Sequence, residues 1–327
     1  MRAPEFWTSK TAAAKFCAAM LAPIGAIYGM SVGWRASHVR PHRPRAQVIC
    51  IGNLTAGGTG KTPAAIAIAG RLARQGRVAF LTRGYGGRFS GPVVVDSKRH
   101  SAADTGDEAL LLARHATTIV ARNRAAGAQL AGTLGAQFIV MDDGFQNFQI
   151  AKDLAIVVVD ANTGFGNGKV IPAGPLREPV QIGLTRADAI ILSGDGSPEM
   201  PPFPRPILRA KLVPEVPELF RGKKVLAFAG IGRPQKFFDM LVHHGAELEG
   251  SAAFPDHHPY SEGELQSLAT RAEGVNALLV TTEKDHVRIP PNCRDGIVPI
   301  PVRMLFDGTA QLDSLLDRVM HHLIHAS

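Results

Sequence analysis

Residues 48–63, VICIGNLTAGGTGKTP, constrain the possible fold more than any other stretch of this chain. A β-branched run from Val48 to Ile51 predicts a buried strand, and a glycine-rich turn follows it. Lys61 and Thr62 come next, before an Ala- and Ile-rich segment at 64–73 whose apolar spacing predicts a helix. A strand, a glycine-rich turn and a helix in this order predict a phosphate-binding loop, because backbone N–H groups at the helix N-terminus converge on phosphate oxygens.

This loop supplies the candidate nucleotide-binding residues. We expect Lys61 to neutralise the β- and γ-phosphates and the Thr62 hydroxyl to ligate Mg²⁺. The strict motif has glycine six positions before the lysine, whereas this chain has Thr55 there, so the predicted loop is a variant. The residues assigned to nucleotide binding are Thr55, Ala56, Gly57, Gly58, Thr59, Gly60, Lys61 and Thr62.

Two further pairs of acidic residues are candidates for the chemistry. The run Phe138 to Met141 predicts a strand that leads directly into Asp142 and Asp143, and this arrangement places a carboxylate near the Mg²⁺ of a phosphate-binding loop. A solvated turn also tolerates two aspartates, but the upstream loop favours a metal site. Asp107 and Glu108 come directly before another predicted helix, Ala109 to His115, and capping of that helix explains Asp107 as well as catalysis does. The candidate metal ligands are Thr62, Asp142, Asp143 and Glu108.

Strand and helix patterns alternate along the rest of the chain. Residues 155–159 and 189–192 predict further buried strands, and a second unit of similar pattern begins near residue 224. This alternation predicts an α/β fold: a doubly wound, mainly parallel sheet of the P-loop NTPase type, and a second, smaller α/β domain. The expected divisions are an N-terminal anchor at 1–45, a P-loop domain at 46–196, a Pro-rich linker or edge segment at 197–221 and the smaller domain at 222–327.

Composition and charge narrow the class of protein. The three cysteines show neither a disulfide framework nor the spacing of zinc ligands, which indicates a reducing compartment. The net charge of +8 is concentrated at the N-terminus, where residues 1–45 carry seven Lys and Arg against one Glu. The remaining chain has 29 basic and 27 acidic residues, so its body has no predicted basic face and we expect no nucleic-acid partner.

The N-terminal segment predicts contact with a membrane. Residues 16–34 are 19 residues without a charge, close to the roughly 20 that a spanning helix needs. We expect a membrane anchor that either spans the bilayer or lies in its interface, with the basic stretch 35–45 on the cytoplasmic side. A buried helix of the soluble body is the alternative, and the nucleotide site that follows disfavours an exported signal peptide. The aromatic residues expected near the headgroups are Trp7, Tyr28 and Trp34.

Seven segments together resemble one family, the tetraacyldisaccharide 4′-kinases of lipid A biosynthesis. They occur in the family's order, and the combination of GGTGKTP with DDGFQ is distinctive. The variant loop and the N-terminal apolar segment also match the family's pattern. The segments are GNLTAGGTGKTP (52–63), RGYGG (83–87), GDE (106–108), DDGFQ (142–146), PAGPLREP (172–179), FPDHH (254–258) and TEKD (282–285).

This resemblance implies a specific reaction and place. The reaction is ATP- and Mg²⁺-dependent phosphorylation of the 4′-hydroxyl of a tetraacylated glucosamine disaccharide 1-phosphate, a glycolipid, to give lipid IVA. The place is the membrane surface, at the cytoplasmic face of the bacterial inner membrane. The resemblance also implies that Asp107 is the catalytic base, that His257 from the second domain pairs with it, and that Lys61 assists. By the same analogy, the candidate substrate or phosphate contacts are Arg83, Arg124 and Glu178.

One position departs from the family's pattern. The family typically reads Asp-Asp-Gly-Phe-Gln-His, and this chain has Asn147 in the last place. Asparagine keeps hydrogen bonding but does not titrate near neutral pH, so any role of that imidazole does not carry over. Because the base, the lysine and the metal ligands are present, we expect activity to survive.

Two other classes of protein compete with the kinase interpretation. A regulatory GTPase or metallochaperone-like switch protein shares the loop, but the chain has no Asn-Lys-x-Asp element, and Lys284 and Asp285 are adjacent in TEKD. A non-catalytic scaffold that only binds nucleotide is disfavoured by the intact candidate residues. The sequence leaves open which of Asp142 and Asp143 contacts the metal, the acyl-chain specificity and the oligomeric state.

Overall fold

The computed structural model describes residues 4–9 and 11–324. Residues 1–3, 10 and 325–327 of the predicted terminal segments lie outside the described residues. The helices are α1 (Ala12–His38), α2 (Lys61–Leu72), α3 (Ala102–Thr105), α4 (Asp107–Leu112), α5 (Arg124–Thr133), α6 (Val180–Thr185), α7 (Pro234–His243), α8 (Glu262–Gly274), α9 (Glu283–His286) and α10 (Ala310–Ile324). The strands are β1 (Gln47–Gly52), β2 (Val78–Thr82), β3 (Val93–Val94), β4 (Thr117–Val120), β5 (Phe138–Asp142), β6 (Leu154–Asp160), β7 (Ala189–Ser193), β8 (Ile207–Pro214), β9 (Lys224–Ala229), β10 (Glu247–Ala253), β11 (Leu278–Thr282), β12 (Ile297–Ile300) and β13 (Val302–Phe306).

The larger sheet has nine strands in the order β13-β8-β7-β6-β1-β5-β2-β4-β3. Neighbouring strands are parallel except for the antiparallel pairs β13–β8 and β3–β4 at its two edges. Strand β1 lies between β5 and β6, and its register pairs Ile51 with Asp142. This register brings the acidic residues at the end of β5 level with the loop that follows β1.

Both faces of the larger sheet are covered, which is why its central strands are apolar along nearly their whole length. In β1, Val48 and Cys50 join the hydrophobic cluster on one face, which also contains residues of α5 and α6. Ile49 and Ile51 join the cluster on the other face, with residues of α2 and α10. Helices on both faces of a mainly parallel sheet confirm the predicted doubly wound α/β fold.

The smaller sheet has four parallel strands in the order β10-β9-β11-β12. Phe237, Phe238 and Leu241 of α7 pack in the core on one face. Leu265 and Leu268 of α8 pack in the core on the other. The second α/β unit is therefore also a three-layer structure with its own core.

The structure places two segments differently from the predicted divisions. The predicted linker or edge segment 197–221 contains β8, which pairs with β7 and with the edge strand β13 of the larger sheet. Two elements of the predicted smaller domain 222–327 also belong to the larger unit. The last strand, β13, pairs in the larger sheet, and helix α10 packs on one face of that sheet. The proline-rich residues around β8 made its alternation of buried and exposed residues hard to recognise from the sequence. Which of two sheets a strand joins depends on contacts between residues that are distant in sequence.

Helix α1 lies against the larger unit along one side only. The backbone of Gly25 is so close to the loop between β6 and α6 that an added Cβ would lie 2.6 Å from the Val170 carbonyl oxygen. Trp7, just before the helix, donates a hydrogen bond from Nε1 to the Pro172 carbonyl at 3.0 Å. By length and composition α1 could cross a membrane. Its exposed apolar side chains are spaced three or four residues apart and share the face away from the protein: Phe16, Met20, Ile24, Ile27, Met30 and Trp34.

Candidate active site

The loop between β1 and α2 has the backbone geometry of a phosphate cradle. Gly57 and Gly60 have φ of 112° and 90°, a region that glycine adopts without strain. Among the described residues, the backbone N–H groups of Gly57 to Gly60 have no hydrogen-bond acceptor. The N–H of Ala56, by contrast, donates to the Pro175 carbonyl at 2.7 Å, and Thr55 forms a bridge with Leu176. The cradle thus begins at Gly57. Thr55 and Ala56, which were predicted to bind nucleotide, anchor the loop to Pro175 and Leu176.

Lys61 and Thr62 begin α2 and contact the two aspartates at the end of β5. The Thr62 hydroxyl donates to Asp142 Oδ2 at 2.9 Å, and Lys61 Nζ lies 3.9 Å from Asp143 Oδ1. Arg177 holds Asp143 through two contacts, at 2.8 and 3.2 Å. Burial raises the pKa of Asp143, but the charges of Lys61 and Arg177 outweigh that effect and lower it.

Asp142 differs from Asp143 in being fully buried and incompletely paired. Its Oδ1 has no hydrogen-bond partner, although Oδ2 accepts from Thr62. Burial and the nearby charge of Glu108 raise the pKa of Asp142 to about 7, against the opposing effect of Lys61. An unsatisfied buried carboxylate oxygen beside a threonine hydroxyl is a donor set that suits Mg²⁺. The described residues contain no cluster of three His, Cys, Asp or Glu side chains, but a P-loop Mg²⁺ also uses phosphate and water oxygens.

Asp107 and His257 meet across the cleft between the two units. His257 Nδ1 lies 2.9 Å from Asp107 Oδ2, although 150 positions separate the residues. His257 has a φ of 59°, which is unusual for a non-glycine residue, and its ring lies 5.3 Å from that of Tyr85. Burial raises the pKa of Asp107, but the hydrogen bond from His257 and the charges of Lys284, His257 and Arg288 lower it overall.

Other charges also join the two units around the cleft. Lys284 Nζ lies 3.0 Å from Glu108 Oε1, and Asp160 at the end of β6 pairs with Arg233 at 2.8 Å and with Lys236. In these pairs the acidic residues lie on the larger unit and the cations lie on the smaller one, whereas the pair Arg114–Glu283 at 3.6 Å has the opposite arrangement. None of these pairs was predicted as a contact, although Lys284 lies within the TEKD segment.

The predicted substrate contacts have three different environments. Arg83 is exposed, in the loop after β2. Arg124 is 3% exposed, donates from Nη1 to the Ala121 carbonyl, and leaves Nε without a partner. Burial and the charge of Arg83 lower the pKa of Arg124 to about 10. Only Arg83 of these two is positioned to meet a ligand without first moving.

Glu178 is buried and paired within the protein. Arg186 Nη2 contacts both of its carboxylate oxygens, at 2.8 and 2.7 Å, and Gln146 donates to Oε1 at 3.0 Å. Gln146 also donates to the Asn53 carbonyl at the start of the phosphate loop. The structure therefore gives Glu178 a bracing position, since its carboxylate is only 1% exposed.

Asn147 lies beside this brace and takes no part in the Asp107–His257 pair. Its side chain contacts Gln149, accepting from the backbone N–H at 3.1 Å and donating to Oε1 at 3.4 Å. The departure from the typical family residue thus leaves the contacts of the Asp107–His257 pair and of the phosphate loop in place.

A family model described as "Tetraacyldisaccharide-1-P 4'-kinase" matches residues 17–321. The chain belongs to this family. It is 48% identical to the tetraacyldisaccharide 4'-kinase of Paramagnetospirillum magneticum over 326 residues, covering 98% of this chain and 99% of that one. It is also 48% identical to the enzyme of the same name from Rhodospirillum rubrum, with 98% of each chain covered.

A solved structure has the same fold as this chain. The crystal structure titled "apo" form LpxK from Aquifex aeolicus in complex with ATP superposes with a TM-score of 0.74. It covers 92% of this chain and 99% of that chain, at 24% sequence identity. The family assignment confirms the predicted resemblance, and a regulatory switch protein is not favoured.

Proposed function

We propose that this chain transfers the γ-phosphate of ATP to the 4′-hydroxyl of a tetraacyldisaccharide 1-phosphate. Family membership supplies the reaction class, and the observation that carries the assignment is the Asp107–His257 pair, which joins the two units beside Glu108, a residue close enough to Asp142 for its charge to raise the pKa of that carboxyl. A carboxylate held by an imidazole beside a phosphate cradle suits transfer to an alcohol. A switch protein needs no such pair.

The roles of the residues follow from this geometry. The free N–H groups of Gly57 to Gly60 and the Lys61 ammonium bind the phosphates of ATP. Asp107 accepts the proton as the 4′-oxygen forms its bond to the γ-phosphorus, and the bond to the β–γ bridging oxygen breaks to release ADP. His257 orients the carboxylate, because its Nδ1 contacts Oδ2, while Oδ1 accepts one hydrogen bond from the Glu108 N–H and keeps a lone pair for the acceptor hydroxyl.

Thr62 and Asp142 fit a Mg²⁺ ion better than the other predicted ligands. The open Oδ1 of Asp142 and the Thr62 hydroxyl lie together at the start of α2. Asp143 is already held by Arg177, and Glu108 by Lys284. When bound, Mg²⁺ supplies charge neutralisation of the β- and γ-phosphate oxygens.

We place α1 on the membrane surface, at the cytoplasmic face of the inner membrane. One side of the helix is used by the protein, since Gly25 and Gly29 contact the loop between β6 and α6. The opposite apolar face, Phe16 to Trp34, is exposed over most of the helix length. A helix with one face covered by protein suits an interfacial position, because a bilayer-spanning position would also draw that loop's polar backbone into hydrocarbon.

The test is transfer of labelled γ-phosphate from ATP to detergent-dispersed tetraacyldisaccharide 1-phosphate. We expect a labelled lipid, a requirement for Mg²⁺, and loss of about 10²-fold or more in kcat for Asp107→Asn. Asp239→Asn is the matched control, because Asp239 is an exposed carboxylate on α7 bonded to Gln235. Nucleotide hydrolysis without any lipid product would overturn the assignment and favour a switch protein.

A further inference from the structure

Arg288 is a buried cation that belongs to the smaller unit but contacts the candidate base of the larger one. It lies two residues beyond α9, and its side chain is 6% exposed. Its Nε lies 3.0 Å from Asp107 Oδ2, the same oxygen that His257 contacts at 2.9 Å. Two groups from the smaller unit therefore converge on one carboxylate oxygen.

The smaller unit holds Arg288 rigidly. Nη1 and Nη2 both donate to the Gly230 carbonyl at 3.0 Å, Nη1 donates to the His258 carbonyl at 3.3 Å, and Nε donates to the Lys284 carbonyl at 3.2 Å. Nη2 also pairs with Asp285 Oδ1 at 3.2 Å. These contacts come from the ends of β9 and β11 and from the loop after β10, so the guanidinium is fixed to the frame of the smaller sheet.

Asp285, the internal partner of Arg288, is itself held on all sides. The Tyr260 hydroxyl and the Gly230 N–H donate to Oδ1 at 2.7 and 2.9 Å, and the Thr282 hydroxyl donates to Oδ2 at 2.6 Å. Asp285 is 0% exposed. A buried ion pair contributes little net stability, so stability alone is a weak reason for this arrangement. The Arg288–Asp285 pair also places a fixed positive charge beside Asp107.

The two carboxylate oxygens of Asp107 have different partners. Oδ2 is occupied by His257 and Arg288, whereas Oδ1 accepts one hydrogen bond, from the Glu108 N–H at 2.8 Å. Oδ1 therefore keeps a lone pair for an incoming hydroxyl. Both contacts to Oδ2 come from the smaller unit, so they exist only when that unit is seated on the larger one.

We propose that Arg288 is a positioning residue for phosphoryl transfer: its charge, fixed by Asp285 and Gly230, orients the Asp107 carboxylate across the interface between the two units. This inference rests on the proposed function. On this proposal, Asp107 is a competent proton acceptor only when the smaller unit is seated on the larger one. The contact that positions it comes from Arg288, shortly after the TEKD segment. Arg288 itself touches neither the phosphate loop nor the predicted metal ligands Thr62 and Asp142.

The experiment compares Arg288→Gln and Arg288→Lys in the lipid phosphorylation assay, measuring kcat and the KM for ATP. We expect Arg288→Gln to lower kcat about 10²-fold, because small misplacement of a catalytic group has effects of that size. The KM for ATP stays within about twofold, since the phosphate cradle is untouched. Arg288→Lys keeps the charge but loses the fork to Gly230, and it restores at least about tenfold of the lost kcat.

Arg294→Gln is the matched control. Arg294 lies in the next segment of the same unit, just after the short 3-10 helix Pro291–Cys293, and its side chain donates to the backbone carbonyls of Ile289 and Val287. Like Arg288, it is an arginine that holds backbone carbonyls of the smaller unit, but its described contacts do not include Asp107. We expect it to leave kcat within about twofold of the wild type at equal folded fraction, because it does not position the base.

A double-substitution cycle separates positioning from mere support of the fold. If Arg288 acts through Asp107, then adding Arg288→Gln to Asp107→Asn lowers kcat by no more than about twofold further. Full multiplication of the two losses, or a wild-type kcat in Arg288→Gln, overturns the inference. Tyr260→Phe provides a milder perturbation of Asp285 if Arg288→Gln does not fold, and a kcat equal to the wild type in that variant also counts against it. Absence of lipid product from the wild type would instead overturn the proposed function.

Discussion

Three glycines on α1 offer a direct test of how this helix is seated. A Cβ at Gly25 would lie 2.6 Å from the Val170 carbonyl oxygen, and at Gly29 it would lie 3.4 Å from the Pro179 side chain. At Gly33 it would meet nothing within 4 Å. Alanine stabilises a helix interior by about 0.5–1 kcal/mol relative to glycine, so all three substitutions share that gain.

The steric terms then separate the three variants. At Gly25 the obstacle is backbone, which cannot rotate away, so overpacking costs about 1–3 kcal/mol and exceeds the helical gain. We expect Gly25→Ala to weaken docking of α1, Gly29→Ala to be close to neutral, and Gly33→Ala to stabilise by the helical gain alone. The ranking matters more than any single value, because the three sites share one helix and one substitution.

Docking can be followed through Trp7. Its indole donates to the Pro172 carbonyl in the loop that Gly25 contacts, so its fluorescence reports whether the start of α1 and that loop remain together. A Trp34→Phe background leaves Trp7 as the sole tryptophan of the chain. A urea titration in detergent gives the midpoint for each variant. Equal midpoints for Gly25→Ala and Gly33→Ala would refute the seating of α1 described above.

Perturbation of Gly25 should also reach the nucleotide site. The loop that Gly25 contacts continues to Pro175 and Leu176, which pair with Ala56 and Thr55 at the base of the phosphate cradle. We therefore expect a raised KM for ATP in Gly25→Ala and an unchanged KM in Gly33→Ala. An unchanged KM in both, despite weaker docking of α1, would show that the loop isolates the cradle from the helix.

Three further substitutions test the site. Asp142→Asn should lower kcat about 10²-fold and raise the Mg²⁺ concentration needed for half-maximal rate, as a Mg²⁺ titration would show; an unchanged requirement would contradict its role as a ligand. Glu178→Gln should cost about 1–3 kcal/mol of stability by leaving Arg186 without its carboxylate, measured by denaturation, while the KM for the lipid stays constant; the reverse result would make Glu178 a substrate contact. Asp160→Asn removes the partner of Arg233 and should raise ATP hydrolysis relative to transfer, since the cleft closes less tightly; an unchanged ratio would argue against this contact as a closure element.

Local patterns were sufficient to predict the nucleotide site and the class of fold. The strand, glycine-rich turn and Lys61-Thr62 lie within sixteen consecutive residues, and the strand ending at Asp142 is equally local. Backbone conformations and hydrophobic runs of this kind depend on neighbouring residues, so they can be recognised without knowing the rest of the structure. The alternation of such runs also predicted the doubly wound sheet.

The resemblance to the family identified Asp107 and His257 as partners, whereas the residues alone did not distinguish a base from a helix cap at Asp107. Their contact joins positions 150 residues apart, at the start of α4 in the larger unit and in the loop after β10 in the smaller one. Arg288 was not predicted at all. A single arginine beyond a short helix has no local signature, and its meaning comes from the carboxylate that the opposite unit brings to it.

By itself, the sequence determined the phosphate loop, the acidic ends of the strands and the apolar length of α1, because each is a property of consecutive residues. Only the tertiary structure decided that Ala56 anchors the loop, that Glu178 braces it, and that β13 returns to the larger sheet. The physical reason is the same in each case. Hydrogen-bond partners and burial are set by which distant segments pack together, and that is a property of the folded chain rather than of any stretch of it.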